Sequence, residues 1–341
     1  MIDQSAPVPN PGASPIFHIG MHKTATSWFQ KRFYPKVEGH RYVDREIVRS
    51  TLLTRSPLDF NAAEARAKIG LDEGLPAIVC EEDLCGVLHN GGLLTNYIAK
   101  EIARQLYDIS PDARIVIFVR SQTALAASSY HQYLRDGGTG SVHRYLFPED
   151  YLHLGKIRPL VAPRFDFTQF EHDRLVAHYD SLFGRDRVFV FAQESLARDG
   201  EQFLREFCRQ LDLPMPRQLD FARINSSYGR GLIPVARFLN LFTRRAVADK
   251  STIIHIPYWY PVRRVLLRQL NSLGIFGKVP SARELLGETT YEWIRQRFWQ
   301  NNQRLQLRMG MDLRALGYAV DPPAEVIERP KRAAILRPLV N

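Results

Sequence analysis

The 341-residue sequence predicts an α/β protein whose central parallel sheet is covered by helices on both faces. Strand-sized runs alternate with segments of helical spacing. Several of those runs are continuously apolar, the pattern of strands buried on both faces. No internal repeat and no separating linker breaks the alternation. With 45% hydrophobic and 24% charged residues, a largely disordered chain is excluded. No apolar run approaches the ~18 residues needed to span a bilayer.

The first 14 residues, rich in Pro, Ser and Ala, read as a mobile tail without the basic and apolar regions of a secretory signal. Ile16–Gly20 is a strand, followed by a tight polar turn and a helix from about Thr24 to Tyr34. Pro76–Cys80 is a second strand, ending in Glu81-Glu82-Asp83. Leu93–Tyr107 has helical spacing. A third strand, Arg114–Val119, runs directly into a helix over Ser121–Arg135, and Asp136–Ser141 is a loop by composition. A fourth strand, Arg187–Phe191, lies between helical segments at Phe170–Phe183 and Gln202–Leu211. Beyond Pro216 the chain turns helical, with capping-box spacing at Ser281/Glu284 and Thr289/Glu292 and a long helix expected over Thr290–Leu316. The expected organisation is one domain over residues 15–328, in which 215–328 form a basic, mainly helical elaboration. A basic mobile arm, 329–341, follows it.

Charge is divided unevenly. Residues 1–214 carry 25 basic and 27 acidic side chains, whereas residues 215–341 carry 21 and 9, so the net +10 arises wholly in the last third. Such a surplus attracts nucleic acid, anionic lipid or an anionic small substrate. No recognisable nucleic-acid-binding module accompanies it, and nucleic acid is not expected as a partner. The segment Ile253–Arg268, aromatic, apolar and Arg-bearing, suits a membrane-surface element or a lid over a cleft. The commoner reading, a packed helix with snorkelling arginines, is the one expected. Cys80, Cys85 and Cys208 form no CxxC and cannot all pair, which points to a reducing compartment.

The most informative stretch is Phe17-His-Ile-Gly20-Met-His22-Lys23-Thr24-Ala25-Thr26-Ser27-Trp28. An apolar strand, a glycine turn, a lysine and hydroxyls at a helix start make an anion site. First-turn amides are unsatisfied, the helix dipole is positive there, and Lys and Thr/Ser add donors. It is not a Walker A loop, because His22 stands where that motif needs a second glycine. An exposed lysine beside ordinary capping hydroxyls is the plainer alternative.

The spacing of Gly20, Lys23, Thr24, Thr26 and Ser27 resembles the 5′-phosphosulfate loop of sulfotransferases that use 3′-phosphoadenosine 5′-phosphosulfate (PAPS). Ala25 stands where that family has glycine, a mild departure if its φ is negative. Trp28 and Gln30 are similar to the bacterial members. A second element of the family is a strand leading into Arg, with Ser eight residues later, together holding the donor's 3′-phosphate. Here these are Arg120 and Ser128 behind Ile115–Val119. Weaker resemblance to bacterial carbohydrate-type sulfotransferases runs through Phe165-Asp-Phe, Leu182-Phe-Gly184, Glu194-Ser-Leu196 and Arg223-Ile-Asn225-Ser226, so residues 15 to about 245 are covered. The implied fold is the three-layer sandwich of P-loop nucleoside-triphosphate hydrolases. The implied cosubstrate is PAPS, bound by Gly20, His22, Lys23, Thr24, Ala25, Thr26, Ser27, Arg120 and Ser128.

For transfer to a hydroxyl, Lys23 is the cation beside the leaving phosphate. The acidic strand end offers the base; resemblance to the family aligns its glutamate with Glu82, with Glu81 as runner-up. Alternation along a strand would point the two apart. His89 and His131 are candidate acceptor contacts. No histidine pair has metal-ligand spacing, so no metal is expected, and a Walker-B-like Mg²⁺ site ranks lower. The acceptor implied is a saccharide hydroxyl, anionic or membrane-borne, and the expected location is the cytoplasm or the inner membrane surface. A lipid or small-molecule hydroxyl, a P-loop kinase or NTPase using Mg-ATP, and a non-catalytic binder of anionic surfaces are the alternatives.

Overall fold

The computed structural model describes residues 14–89, 92, 94–151, 165–221, 227–244 and 250–331. Its sheet has five parallel strands: β1 (Ile16–Gly20), β2 (Arg41–Tyr42), β3 (Ala77–Cys80), β4 (Arg114–Val119) and β5 (Val188–Ala192), in the order β2-β3-β1-β4-β5. From β1 the chain passes to the edge strand β2, returns inward to β3 beside β1, and then crosses over β1 to lay β4 and β5 on the other side. That reversal makes the C-terminal end of β1 the topological switch point, where α/β sheets bind ligands.

The thirteen α-helices among the described residues are α1 (Thr26–Trp28), α2 (Arg45–Leu52), α3 (Ala62–Ile69), α4 (Leu94–Ile109), α5 (Gln122–Arg135), α6 (Val142–Leu146), α7 (His172–Phe183), α8 (Gln193–Arg198), α9 (Gly200–Gln210), α10 (Leu232–Leu239), α11 (Trp259–Ser272), α12 (Ala282–Leu286) and α13 (Glu288–Met309). Alternation along β1 sorts its side chains into two cores. Phe17 and Ile19 pack with residues of α2, α3, α4, α7 and α13. Ile16 faces the opposite layer, with Phe29, Phe33 and the α9 residues Leu204 and Phe207. A third core lies under α5, α10, α11 and α13. None of the described helices is long and apolar enough to cross a membrane.

Several expectations change in detail. The helix after the glycine turn is α-helical only over Thr26–Trp28, continues as a π-helix over Phe29–Phe33 and ends in a 3-10 turn at Tyr34–Lys36. The long C-terminal helix stops at Met309, because Gly310 adopts φ 62° and caps it in the left-handed conformation. Ser281 and Glu284 do form a capping box, but Thr289 lies inside α13, whose N-cap is Gly287. The two-residue edge strand β2 had no sequence signal. The basic arm is docked where it begins: Arg329 pairs with Asp150 at 2.9 Å and with Glu149, and its guanidinium lies over the Phe147 ring. The tail through residue 13, the loop Arg223-Ile-Asn225-Ser226 and the arm beyond Lys331 lie outside the described residues.

Candidate active site

The loop after β1 reverses its backbone three times, at Gly20 (φ 87°), Lys23 (φ 63°) and Ala25 (φ 68°). Such alternation turns successive amides toward one concavity, an arrangement that favours anions. Gly20 is required twice over. Its φ suits glycine, and a Cβ there would meet the Glu82 Cα at 3.0 Å. Ala25 departs from the expected negative φ: it occupies the left-handed region that glycine fills more easily. The Met21 amide donates to the Phe118 carbonyl at 3.0 Å, fixing the loop to the end of β4. Thr24 is fully buried, and its hydroxyl donates to the Met21 carbonyl at 2.5 Å; Thr26 reaches the same carbonyl at 3.4 Å. These two hydroxyls therefore fasten the loop from within. Ser27 is half-buried at the helix start, where the Trp28 and Phe29 amides donate to the Ala25 carbonyl at 2.7 and 3.2 Å.

Lys23 donates from Nζ to Gln132 Oε1 at 3.3 Å. Burial, then the guanidiniums of Arg135 and Arg120, lower its ammonium to about 8, against the pull of Asp136 and Glu82. Arg120 lies half-buried just past β4 and donates from Nη1 to the Lys23 carbonyl at 3.0 Å, while its own carbonyl accepts from His172 Nε2 at 2.9 Å. Ser128, also half-buried, precedes Gln132 by four residues on α5, so both share the helix face that meets Lys23. Lys23 and Arg120, 97 residues apart in sequence, thus meet at the sheet edge, with Ser128 on the helix that follows Arg120.

The acidic triplet does not continue the strand. β3 ends at Cys80, and Glu82–Cys85 forms a 3-10 turn capped by the Glu81 carboxylate, which accepts from the Asp83 amide at 3.1 Å. Strand alternation therefore does not separate the two glutamates: Arg45 Nη2 donates to Glu81 Oε1 at 2.9 Å and to Glu82 Oε1 at 3.0 Å. Glu81 is 0% exposed and also takes Arg45 Nε at 2.5 Å. Burial would raise its carboxyl, but Arg45, the Asp83 amide and Arg49 outweigh this and hold it below the usual range. Glu82 is more open, and its Oε2 accepts from Gln30 Nε2 at 3.0 Å. Glu81 is thus a structural carboxylate, and Glu82 is the one oriented beside the loop.

His22 contacts the Gly86 carbonyl through Nε2 at 2.7 Å. Burial opposes a charge on its ring, but Cys85, Asp83 at 3.8 Å and Gly86 outweigh that and bring it to about 9, so it is cationic at neutral pH. His89 is largely buried, with Nδ1 at 2.9 Å from the Tyr145 hydroxyl and Nε2 at 3.8 Å from Asp136; burial, His22 and Lys23 lower it to about 3. His131 is 5% exposed and both its ring nitrogens lack a partner. Burial, Arg135 and Lys23 lower it to about 4. Both are neutral and poor proton acceptors at neutral pH. Among the described residues no group of three or more His, Cys, Asp or Glu could hold a metal ion.

The supporting roles of four residues escaped the sequence reading, which noted Gln30 only as similar to the bacterial members. Gln30 and Arg45 orient Glu82, and Gln132 receives Lys23. Gln30 lies four residues after Thr26 and Gln132 four after Ser128, so helical spacing could have marked both. Arg263 is the fourth. It does not snorkel: fully buried, its Nη2 donates to the Leu134 and Arg135 carbonyls, each at 3.0 Å. Asn240 Nδ2 donates to the same Leu134 carbonyl at 2.9 Å. These donors cap the end of α5, one turn beyond Gln132.

No family model and no curated protein matches the chain. Among solved structures it is similar to a sulfotransferase from Alicyclobacillus acidocaldarius at 17% identity and a TM-score of 0.51, covering 89% of this chain and 99% of that one. Mouse sulfotransferase SULT7A1, solved with PAP, is more distant, at 13% identity and a TM-score of 0.40 over 89% of this chain and 88% of that one. The five-stranded parallel sheet, its switch point at Gly20 and the likeness to the Alicyclobacillus structure give one conclusion: the chain has the sulfotransferase fold.

Proposed function

We propose that the protein transfers a sulfuryl group from PAPS to a hydroxyl of a carbohydrate or glycoconjugate. The observation that carries this reading is the meeting of Lys23, in a loop reversed at three residues, with Arg120 and Glu82 at the end of the central strand. The donor set fits a nucleotide carrying two separate anionic groups. The loop amides, Lys23 and cationic His22 would hold the 5′-phosphosulfate, with Ser27 at the helix start. Arg120 and Ser128 would hold the 3′-phosphate. Thr24 and Thr26 act mainly by holding the loop's shape.

PAPS supplies the activated sulfuryl group. The chain's own part is positioning and electrostatics, which dominate transfer without a covalent enzyme intermediate. Lys23, cationic below about pH 8, neutralises charge on the departing phosphate. Glu82, held from either side by Gln30 and Arg45, accepts the acceptor's proton. His89 and His131, neutral and close to Lys23, suit the acceptor side. The three cysteines are free and buried, in keeping with a reducing compartment such as the cytoplasm.

The test is calorimetric binding of 3′-phosphoadenosine 5′-phosphate against Mg-ATP, followed by labelled sulfuryl transfer to a panel of saccharide, lipid and phenolic acceptors. The expected result is binding of the first nucleotide only, with transfer abolished in Lys23→Ala. Preference for Mg-ATP would assign the site to a kinase or NTPase instead. Transfer only to lipid or phenol would move the acceptor class.

A further inference from the structure

The surface around α11 has a composition that neither the core nor the proposed donor site explains. Between Lys250 and Arg283 the sequence has six basic side chains and no acidic one; Arg263 is buried and Arg283 pairs with Glu288 and Glu292, while Arg264, Arg268 and Lys278 are exposed. On α11, Arg263 and Leu267 point inward, while Val262 and Val265, three residues apart, are exposed on the outward side, and Tyr258, the N-cap residue before the helix, is exposed as well. Arg264 and Arg268 flank this strip and are exposed. The preceding segment adds Ile253, 72% exposed, and Ile254, and is tied to the end of α10 by the Ile253 amide, which donates to the Leu241 carbonyl at 2.9 Å.

Tyr258 supplies an independent observation. It is 86% exposed and adopts φ 60°, a conformation bulky residues rarely accept, so the fold holds a strained tyrosine out in water.

We infer that this face docks on an anionic lipid bilayer, with the isoleucines, valines and Tyr258 entering the headgroup boundary and Arg264, Arg268 and Lys278 meeting lipid phosphates. Charge complementarity selects the occupant. A second copy would set Arg264, Arg268 and Lys278 against the same exposed cations of its partner. A nucleic acid would satisfy the arginines but leave the exposed aliphatic side chains in water. An anionic bilayer satisfies both.

The experiment is co-sedimentation of the full chain with vesicles of phosphatidylcholine alone and of phosphatidylcholine with an equal share of phosphatidylglycerol, with light scattering of the free protein. Binding is expected to the anionic vesicles only. It should fall about tenfold or more in Arg264→Glu/Arg268→Glu and, separately, in Val262→Asp/Val265→Asp, both pairs being exposed and retaining the wild-type melting temperature. The inference is overturned by absence of binding to anionic vesicles or by equal binding to both vesicle types. It is equally overturned if binding survives the valine substitutions, or if they dissociate a dimer that does not bind vesicles.

Discussion

Lys23 combines a left-handed backbone, a buried ammonium and two neighbouring guanidiniums. In the ligand-free protein its charge is present below about pH 8 and lost above it. An anion that needs the charge must then bring a proton with it. The affinity for 3′-phosphoadenosine 5′-phosphate should fall about tenfold per pH unit above that point. Calorimetry in buffers of different ionisation enthalpy should show proton uptake, and Lys23→Arg should remove both effects. Stability runs the other way. Between about 8 and the ordinary 10.5 the unfolded chain keeps the proton that the folded chain has lost, so this lysine makes folding more favourable as pH rises there. Ala25→Gly exchanges left-handed strain of about 1–2 kcal/mol for a backbone-entropy cost of about 0.5–1 kcal/mol. A small net stabilisation is expected in denaturant titration. The two glutamates should separate cleanly. Glu82→Gln should lower kcat by about 10²–10⁴-fold with the melting temperature kept. Glu81→Gln removes a buried carboxylate from Arg45 and Arg49, which keep Glu82 and Asp83 and are about a third exposed, and should cost about 1–3 kcal/mol of stability.

Among the elements, the principal strands were legible because strands covered on both faces must be apolar throughout, and four such runs stood out; β5 lies one residue beyond its expected span. β2 was not, since two residues at an edge carry no period. The loop was legible as a glycine, a lysine and hydroxyls at fixed spacing. Its conformation was not: the left-handed Ala25 and the inward Thr24 follow from how the loop seats against Glu82 and Met21. Glutamate direction was misjudged because strand alternation ceases where the 3-10 turn begins. Arg45 and Arg263 were missed for a related reason. Long polar side chains act where tertiary packing brings carboxylates and carbonyls together, and local periodicity does not record that. Arg263→Met leaves the Leu134 carbonyl with Asn240 and the Gly137 amide but the Arg135 carbonyl with only the Tyr260 hydroxyl at 3.3 Å, and should cost about 1–3 kcal/mol. It should also raise KM for the donor through Gln132 and Lys23, a shift that denaturant curves alone would not show. Arg263→Lys should recover only part of either, because one ammonium cannot reproduce the fork.

For the whole molecule, the division of charge acquires a spatial sense. The loop, Arg120 and Glu82 belong to the near-neutral first 214 residues, where the proposed donor site needs only a few placed groups. The surplus beyond is split by α11. Its inward arginine grips the end of α5, and its outward arginines border an apolar strip. α5 in turn carries Gln132 to Lys23, so one helix joins the outer surface to the lysine through two contacts. This bears on how the protein can be divided. A fragment ending before Trp259 would keep the loop, Arg120 and both glutamates, yet its α5 would lose Arg263 from its last two carbonyls, in a core stripped of Leu267, Trp293 and Phe298. The nucleotide-loop half is therefore not portable. A minimal version of this protein cannot be made by trimming from the C-terminus, and a chimera that borrows residues 15–214 must borrow α11 with them.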